Sequence, residues 1–299
     1  MRQAIEERAE SVGFSALKQA AAVLSTAYRD GRAARLNAVE RTAAYLVTRM
    51  PATFAAAHAV LGELQGIAVE SVLDVGGGTG AASLAARELW GRQLAISLLD
   101  RNSGFLEAAR QWLPDARVLS NDVTSLESLP PHDLVVAAYS LGELDPSLAG
   151  RLWAAARVAL VIIEPGTPRG YRLCLGVRDQ LLAAGAYMVA PCPAATPCPI
   201  ESPDWCHFAA RVERSSLHRR IKDADLGYED EKFSYIALAR EPVALPNARI
   251  IRRPIHKPGL VELHTCTSGG LRTELVRKSN REAYRAARHA AWGSAAALP

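Results

Sequence analysis

The sequence has no long run of apolar residues. Although 49% of its 299 residues are hydrophobic, no stretch reaches the roughly 18–20 apolar residues that a membrane-spanning helix needs. The start, MRQAIEERAE, lacks the apolar segment of a secretory signal, and Glu6, Glu7 and Glu10 interrupt any basic face of an organelle-targeting helix. Together with an Ala- and Arg-rich composition, these absences predict a soluble protein of the bacterial cytoplasm with no membrane partner.

Cysteine is scarce, and three of the five cysteines lie in one proline-rich segment, PCPAATPCPIESPDWCHF at 191–208. In a reducing compartment, a clustered and odd-numbered set favours metal binding or redox chemistry over disulfides. The spacing of Cys192, Cys198 and Cys206 fits no single helix or knuckle, so it predicts a wrapped loop that its prolines stiffen. The residues alone leave the metal open. They also leave open the fourth ligand, for which the candidates are Cys266, Cys174, His207 and His264.

The net charge is small, at +4, but it is unevenly distributed. Residues 211–299 hold 17 Lys and Arg against 10 Asp and Glu, whereas residues 1–210 carry a slight acidic excess. A basic C-terminal third suits a polyanionic partner such as RNA, although a solvated basic surface has the same composition. The residues predicted to meet phosphates are Arg211, Arg214, Arg219, Arg220 and Lys222.

The chain divides into three segments of different pattern. Residues 1–65 have Ala and Leu at helical spacing and predict a helical N-terminal module. Residues 66–240 alternate apolar strands with helices, which predicts an α/β domain on a doubly wound sheet, with the cysteine-rich loop at 190–208. Residues 241–299 contain three short strand patterns and a closing helix, which predict a small basic β module.

A glycine-rich turn, LDVGGGTG, follows the first strand of the α/β domain. Its glycines let the backbone turn sharply and approach a ligand, and the next helix offers free N–H groups. The pattern also satisfies a dinucleotide motif. Two features favour S-adenosylmethionine over a nicotinamide or a vestigial empty site. One is the complete Asp-x-Gly-x-Gly-x-Gly pattern, and the other is Asp122 after the third strand, where class I methyltransferases often carry an aspartate. The predicted cofactor contacts are Asp74, Gly76, Gly78, Gly80, Asp100 and Asp122.

A common catalytic motif is missing after the fourth strand. Enzymes that methylate amino groups usually carry Asn/Asp-Pro-Pro-aromatic there, whereas this chain has AAYSLGELD at 137–145. No cysteine stands where methylation of a pyrimidine at carbon 5 would need a nucleophile. Tyr139, Ser140 and Glu143 lie where a substrate would enter, but the pattern assigns no catalytic residue and leaves methyl transfer open.

The segment that begins at the cysteine loop carries a family resemblance. Its most specific parts are DWCHFAARVERSSLHRRIK and YEDEKFSYIALAR. Through them the chain resembles the mitochondrial small-ribosomal-subunit methyltransferase-like family and its bacterial relatives, and the resemblance extends over roughly residues 15–295. The resemblance implies a class I methyltransferase fold associated with small-subunit assembly and translation. It also implies a [4Fe–4S] cluster whose ligands are Cys192, Cys198, Cys206 and Cys266, and it implies that Cys174 is not a ligand.

These interpretations together predict an S-adenosylmethionine-binding, iron–sulfur protein. It is expected to dock on small-subunit ribosomal RNA or a small-subunit precursor, and to be monomeric off the ribosome. Both an active rRNA methyltransferase and a catalytically inactive assembly factor fit the sequence. A third hypothesis is a zinc-stabilised methyltransferase of small molecules, and the basic C-terminal third argues against it.

Overall fold

The computed structural model describes residues 2–30, 35–143 and 146–296. Within these ranges the chain begins with four helices and then alternates strands and helices, as the sequence periodicity predicts. The α-helices are α1 (Arg2–Val12), α2 (Phe14–Asp30), α3 (Ala38–Thr48), α4 (Met50–Gly62), α5 (Ala81–Trp90), α6 (Ser103–Arg110), α7 (Ala149–Ala155), α8 (Pro168–Ala183), α9 (Ser216–Ile221) and α10 (Arg281–His289).

Polar side chains fix the start of several helices. At each of these positions a side-chain oxygen accepts a hydrogen bond from the backbone N–H three residues later, which otherwise has no partner within the helix. The capping residues are Asn37 for α3, Asn102 for α6, Thr167 for α8, Ser215 for α9 and Asn280 for α10.

The central sheet is built from β1 (Ser71–Val75), β2 (Ala95–Asp100), β3 (Arg117–Ser120), β4 (His132–Ala138), β5 (Ala156–Pro165), β6 (Tyr187–Ala190), β7 (Phe208–Glu213) and β8 (Tyr228–Ala239). Across the sheet the order is β3-β2-β1-β4-β5-β8-β6, and β7 pairs with β8. Strands β1 to β5 are parallel, while β8 is antiparallel to β5 and β6. This arrangement confirms the predicted class I methyltransferase-type fold.

Helices cover both faces of the central sheet. Val72 of β1 and Val136 of β4 enter a core that α4 and α5 complete, whereas Leu73 and Val135 enter a second core with α7 and α8. Because both faces are covered, these strands are apolar on both sides rather than alternating with polar residues. The carboxyl ends of β1 to β5 are left at one edge, where open α/β sheets bind their ligands.

The N-terminal helices divide between two cores. Leu17 and Leu24 of α2 and Val47 of α3 pack together with Ile221 of α9. Helix α4 instead packs on the central sheet, through residues such as Leu61. The domain boundary that the sequence predicts at residue 65 therefore remains a prediction. Among the helices in the described ranges, none combines the length and the apolarity that a membrane crossing requires.

A second, smaller sheet forms near the C-terminus from β9 (Ala248–Ile250), β10 (Ile255–Lys257), β11 (Leu260–Thr267), β12 (Gly270–Arg277) and β13 (Ala295–Ala296). Strand β11 pairs antiparallel with β9, β10 and β12. It buries alternate residues, among them Val261 and Leu263, in a core shared with Ala287 of α10. Because strand side chains alternate, Cys266 lies on the opposite face, paired with Arg249 of β9.

Candidate functional site

The glycine turn lies at the carboxyl end of β1, directly before α5. Gly76 and Gly78 have φ values of +66° and +53°, in the left-handed region that favours glycine. A Cβ on Gly76 would lie 2.5 Å from the Ser140 Cβ, so no larger residue fits there. A Cβ on Gly78 would lie 3.5 Å from Phe105 and 3.8 Å from Asp100, in ordinary van der Waals contact, so Gly78 is required by its positive φ and not by a steric clash.

Asp100 ends β2 and holds the glycine turn. Its Oδ2 accepts a hydrogen bond from the Gly78 N–H at 2.9 Å, and its Oδ1 accepts one from the Asn102 N–H at 2.7 Å. Burial raises the pKa of the Asp100 carboxyl, although these two bonds oppose the shift. Each carboxylate oxygen has two lone pairs, so Asp100 retains capacity to accept hydrogen bonds from ribose hydroxyls.

Asp74 lies deeper than the pattern suggests. It is 0% exposed, and its Oδ2 accepts hydrogen bonds from the backbone N–H and the hydroxyl of Ser83, at 3.0 and 2.7 Å. Its Oδ1 has no hydrogen-bond partner among the described residues. Burial raises the pKa of Asp74 to about 6. In this structure the carboxylate therefore holds the start of α5 rather than facing the ligand side.

Asp122 lies after β3, on the same edge of the sheet. Its Oδ1 accepts hydrogen bonds from the N–H and hydroxyl of Thr124, at 2.9 and 2.7 Å, and its Oδ2 lies 3.2 Å from an Arg101 guanidinium nitrogen. The Thr124 bonds, followed by Arg101, lower the pKa of the Asp122 carboxyl. The fold thus brings the glycine turn, Asp100 and Asp122 to neighbouring strand ends, as the sequence predicts.

The segment after β4 packs against the glycine turn. Ser140 is buried, and its hydroxyl donates a 2.8 Å hydrogen bond to the Val75 carbonyl. Tyr139 has a φ of +56°, which is strained for a residue with a large side chain. Its ring lies 5.7 Å from the Arg49 guanidinium, which pairs with Glu231 at 3.0 Å. The side chain of Glu143, the third predicted candidate here, lies outside the described residues.

The four cysteines predicted as metal ligands line one cavity, which lies between the central sheet and the C-terminal sheet. The space in and in front of the cavity that protein atoms leave empty, including open solvent at its mouth, is about 530 Å³. Cys192, Cys198 and Cys206 reach it from the loop after β6, and Cys266 reaches it from β11. Arg249, which pairs with Cys266 across β9 and β11, donates a 2.9 Å hydrogen bond to the Pro191 carbonyl and so connects the C-terminal sheet to the start of the loop.

The cysteine thiols interact with one another. Burial raises the pKa of Cys206 well above its usual value, and Cys192, Cys198 and Cys266 add to this shift. Burial also raises the pKa of Cys266, to about 11. Across the described part of the chain, no group of three or more His, Cys, Asp or Glu side chains is arranged to hold a metal ion. The structure therefore brings the predicted ligands to one cavity but does not show an iron–sulfur cluster.

Two residues that the sequence analysis missed also line this cavity. Arg249 is buried and donates hydrogen bonds to both carboxylate oxygens of Glu63, at 2.8 and 2.9 Å, and to the carbonyls of Pro191 and Gly293. Arg178 is also buried and donates to the carbonyls of Ala194 and Thr196 in the cysteine loop. Their signal in the sequence is weak, because most arginines lie on the surface.

Cys174 lies on α8 and lines the same cavity. Its exclusion as a ligand therefore rests on the family resemblance and not on distance from the other thiols. Trp205 is partly exposed, with its indole N–H bonded to the Gly166 carbonyl at 3.0 Å and its ring stacked on His207. Phe208 is 3% exposed and packs in the main core.

The predicted phosphate-binding residues differ in their surroundings. Arg214 and Lys222 both bind Glu229, at 2.7 and 2.9 Å, and Arg211 lies 3.4 Å from Asp230. Arg220 lies over the Phe14 ring, at 4.7 Å from its centre. Arg219 is exposed, with no ion pair among the described residues. Further exposed basic residues that the sequence analysis missed are Arg281, Arg285 and Arg288 of α10.

The comparison with protein families decides the relationship. The model of the family "Mitochondrial small ribosomal subunit Rsm22" matches residues 39–297. The chain belongs to this family. The match covers the helices from α3 onward, the central sheet, the cysteine loop and the C-terminal sheet, so both sites described above lie within the matched residues.

Curated relatives agree with the Rsm22 assignment. The human protein named "Ribosome assembly protein METTL17, mitochondrial" is 29% identical over 283 residues, which cover 83% of this chain and 61% of that protein. The "Rsm22-cox11 tandem protein 2, mitochondrial" of Schizosaccharomyces pombe is 25% identical over 84% of this chain and 42% of its own length. The chain thus spans less than two thirds of either relative.

A solved structure of a SAM-dependent methyltransferase from Aquifex aeolicus is also similar, with 18% identity, a TM-score of 0.41, and coverage of 66% of this chain and 95% of that one. The fold assignment rests on the strand order and not on this likeness. The comparisons contradict one prediction. The matched relatives are mitochondrial proteins, so the predicted bacterial cytoplasmic location is wrong by this finding.

Proposed function

We propose that this chain is an S-adenosylmethionine-binding, iron–sulfur assembly factor of the small ribosomal subunit. The observation that carries the proposal is the single cavity lined by Cys192, Cys198, Cys206 and Cys266 in a chain of the Rsm22 family. A relative named as a ribosome assembly protein supports the assembly role. The basic C-terminal third supports contact with ribosomal RNA.

The four cysteines around the cavity leave the choice between zinc and an iron–sulfur cluster open, because both are bound by thiolates. The family resemblance of the cysteine pattern is what favours the cluster. In a cubane cluster each thiolate would bind a different iron, so the four cysteines would surround it.

The cysteines come from two parts of the fold. Cys192, Cys198 and Cys206 belong to the loop that leaves the central sheet, and Cys266 belongs to the C-terminal sheet. When bound, a cluster would link these two parts covalently and add a redox-active centre. Metal ligation contributes folding free energy that small modules otherwise lack, so we expect the C-terminal sheet to depend on the four thiols for its docking.

The cofactor site supports binding more strongly than it supports catalysis. Gly76 and Gly78 both have positive φ in the turn after β1, and Asp100 and Asp122 lie at the neighbouring strand ends. Beyond β4, however, the Ser140 hydroxyl is bonded to a backbone carbonyl, and burial raises the pKa of the Tyr139 hydroxyl well above its usual value. Neither group is placed to act as a general base at neutral pH. This favours an assembly factor over an active rRNA methyltransferase.

Iron analysis of anaerobically purified protein tests the cluster. We expect about four irons per chain, the content of one cubane. Cys266→Ser should lose the iron and expose the C-terminal sheet to protease, whereas the matched control Cys174→Ser should retain the iron, although Cys174 lines the same cavity. Stoichiometric zinc without iron would contradict the cluster, and retention of iron in Cys266→Ser would contradict the ligand set.

Binding of S-adenosylmethionine and of small ribosomal subunits is measured on the same preparation. Calorimetry should detect the cofactor with the wild-type protein and not with Gly78→Arg, since a long, charged side chain at this turn would occupy the position proposed for the cofactor. Absence of heat with the wild type at millimolar cofactor would contradict cofactor binding. Failure to co-sediment with small-subunit precursors would contradict the assembly role.

A further inference from the structure

One face of helix α8 borders the cysteine cavity. Tyr171, Cys174 and Arg178 all line it, and their spacing of three and four residues places them on the same side of the helix. Cys174 is buried among apolar residues of the core. Tyr171 and Arg178 are the two residues of this face that make polar contacts with the cysteine loop.

Tyr171 contacts one of the predicted ligands directly. Its hydroxyl oxygen lies 3.3 Å from the Cys198 sulfur, within hydrogen-bonding range for an oxygen–sulfur pair. With a free thiol either group can donate. A sulfur bound to iron carries no proton, so in a cluster-loaded protein the tyrosine hydroxyl is the only possible donor of this bond.

Arg178 fixes the loop relative to α8. It is 2% exposed, and its guanidinium donates to the carbonyls of Ala194 and Thr196, which lie between Cys192 and Cys198. Arg178 therefore ties the loop segment that ends at Cys198 to α8, at a point on the helix C-terminal to Tyr171. This anchoring keeps the Cys198 sulfur within reach of the Tyr171 hydroxyl independently of the other cysteines.

We infer that Tyr171 is a positioning residue for the cluster, whose hydroxyl donates a hydrogen bond to the Cys198 sulfur and raises the reduction potential of the cluster. The inference rests on the proposed function, because it requires a cluster at the four cysteines. Reduction adds negative charge to the cluster and its thiolates, and a donor directed at one sulfur stabilises that charge. Partners of metal ligands also orient those ligands and tune the metal.

Tyr171→Phe tests this role because it removes only the hydroxyl. Potentiometric titration of the anaerobic protein, followed by electron paramagnetic resonance, should give a more negative midpoint potential for the variant than for the wild type. The matched control is Tyr187→Phe on β6, whose side chain is 44% exposed and does not line the cavity. That control should keep the wild-type potential.

Resonance Raman spectra provide a second readout that does not depend on comparing potentials. Exchange into deuterium oxide should shift an Fe–S(Cys) stretching band in the wild type, and this isotope-sensitive band should be lost in Tyr171→Phe. Iron-loaded variants with an unchanged potential and an unchanged isotope effect would overturn the role of Tyr171 alone. Wild-type protein that takes up no iron would overturn the proposed cluster, and this inference with it.

Discussion

At the scale of single residues, Asp74 departs most from the role its motif suggests. The motif places an acidic residue at the end of the first strand, where a cofactor contact is expected. In the structure its carboxylate is fully buried, bonded to Ser83 through one oxygen and without a described partner at the other. A buried, half-satisfied carboxylate costs stability when it is charged, so its effect can be measured through pH.

The first prediction concerns Asp74→Asn. Burial raises the pKa of Asp74 from 3.8 to about 6, so between these values the folded state binds a proton more tightly than the unfolded state. Stability therefore falls as the pH rises through this range, and it stays lower above pH 6, by up to about 3 kcal/mol. We expect Asp74→Asn to be more stable than the wild type at pH 7, with the difference vanishing near pH 4.

Urea unfolding at several pH values between 4 and 7 measures this difference. Asp115→Asn is the control with the opposite sign. Arg87, at 2.7 Å, lowers the pKa of the exposed Asp115 carboxyl, so loss of this charge should not stabilise the protein at pH 7. If Asp74→Asn were less stable than the wild type at pH 7, the Asp74 charge would have to be compensated in the native state.

At the scale of secondary-structure elements, α9 and the start of β8 show that basic residues close in sequence have different roles. Arg214 and Lys222 surround Glu229, together with the buried His218, whose pKa is lowered to about 4 by burial and by Lys222. Arg214 and Lys222 thus form a partly buried ion cluster with Glu229 beside a neutral His218, and their charges are already paired within the protein. Arg219, on the exposed side of α9, is the better candidate for RNA contact.

The second prediction separates these roles. Arg219→Glu should weaken binding to small-subunit rRNA and reduce the salt dependence of binding by about one ion per lost phosphate contact, without a change in stability. Lys222→Glu should instead destabilise the fold, since it places a second carboxylate beside Glu229. Filter binding across a salt series, with urea unfolding in parallel, measures both effects.

The matched control is Arg92→Glu, which makes the same charge change at an exposed position after α5. It should leave the affinity and the salt slope unchanged. Equal losses for Arg219→Glu and Arg92→Glu would mean that net charge alone drives the association. No loss in Arg219→Glu would make the exposed face of α9 a solvated surface.

At the scale of the whole molecule, Arg249 joins three parts of the chain without any metal. From β9 its guanidinium reaches Glu63 after α4, the Pro191 carbonyl at the start of the cysteine loop, and the Gly293 carbonyl near the C-terminus. It is almost completely buried, so each of its bonds forms away from solvent. The docking of the C-terminal sheet thus depends on this residue as well as on any cluster.

The third prediction is that Arg249→Met destabilises the protein by roughly 3 kcal/mol, the low end expected for a broken buried ion pair. The loss is expected at the low end of that range because the Glu63 side chain is 31% exposed, so water can hydrate its carboxylate when Arg249 is lost. Urea unfolding measures the stability. Limited proteolysis should show faster cleavage between the central sheet and the C-terminal sheet.

Arg253→Met is the control for Arg249. The Arg253 side chain is 69% exposed and pairs with Asp230 at 2.8 Å, so its loss should cost less than about 1 kcal/mol. Wild-type resistance to protease in Arg249→Met would show that the C-terminal sheet stays docked without Arg249.

The sequence by itself determined the elements of the fold and the local parts of each site. Apolar runs such as those of β4 and β5, alternating with helical periodicity, identified the doubly wound sheet. The glycines at 76 and 78 marked a sharp turn, and in the structure both have positive φ. Cys192, Cys198 and Cys206 could be assigned to one loop from the sequence, because they lie within eighteen consecutive residues, 191–208.

Only the tertiary structure decided which distant residues meet. Cys266 pairs with Arg249 of β9, whose guanidinium bonds to the Pro191 carbonyl, and this docking places Cys266 in the same cavity as the loop cysteines. In the sequence, its role rested on a family resemblance. Tertiary packing also separated Arg214 and Lys222, which are partly buried and paired with Glu229, from the exposed Arg219, and it buried Asp74 and Arg249. The physical reason is that burial and ion pairing depend on neighbours from other elements, which spacing along the chain does not encode.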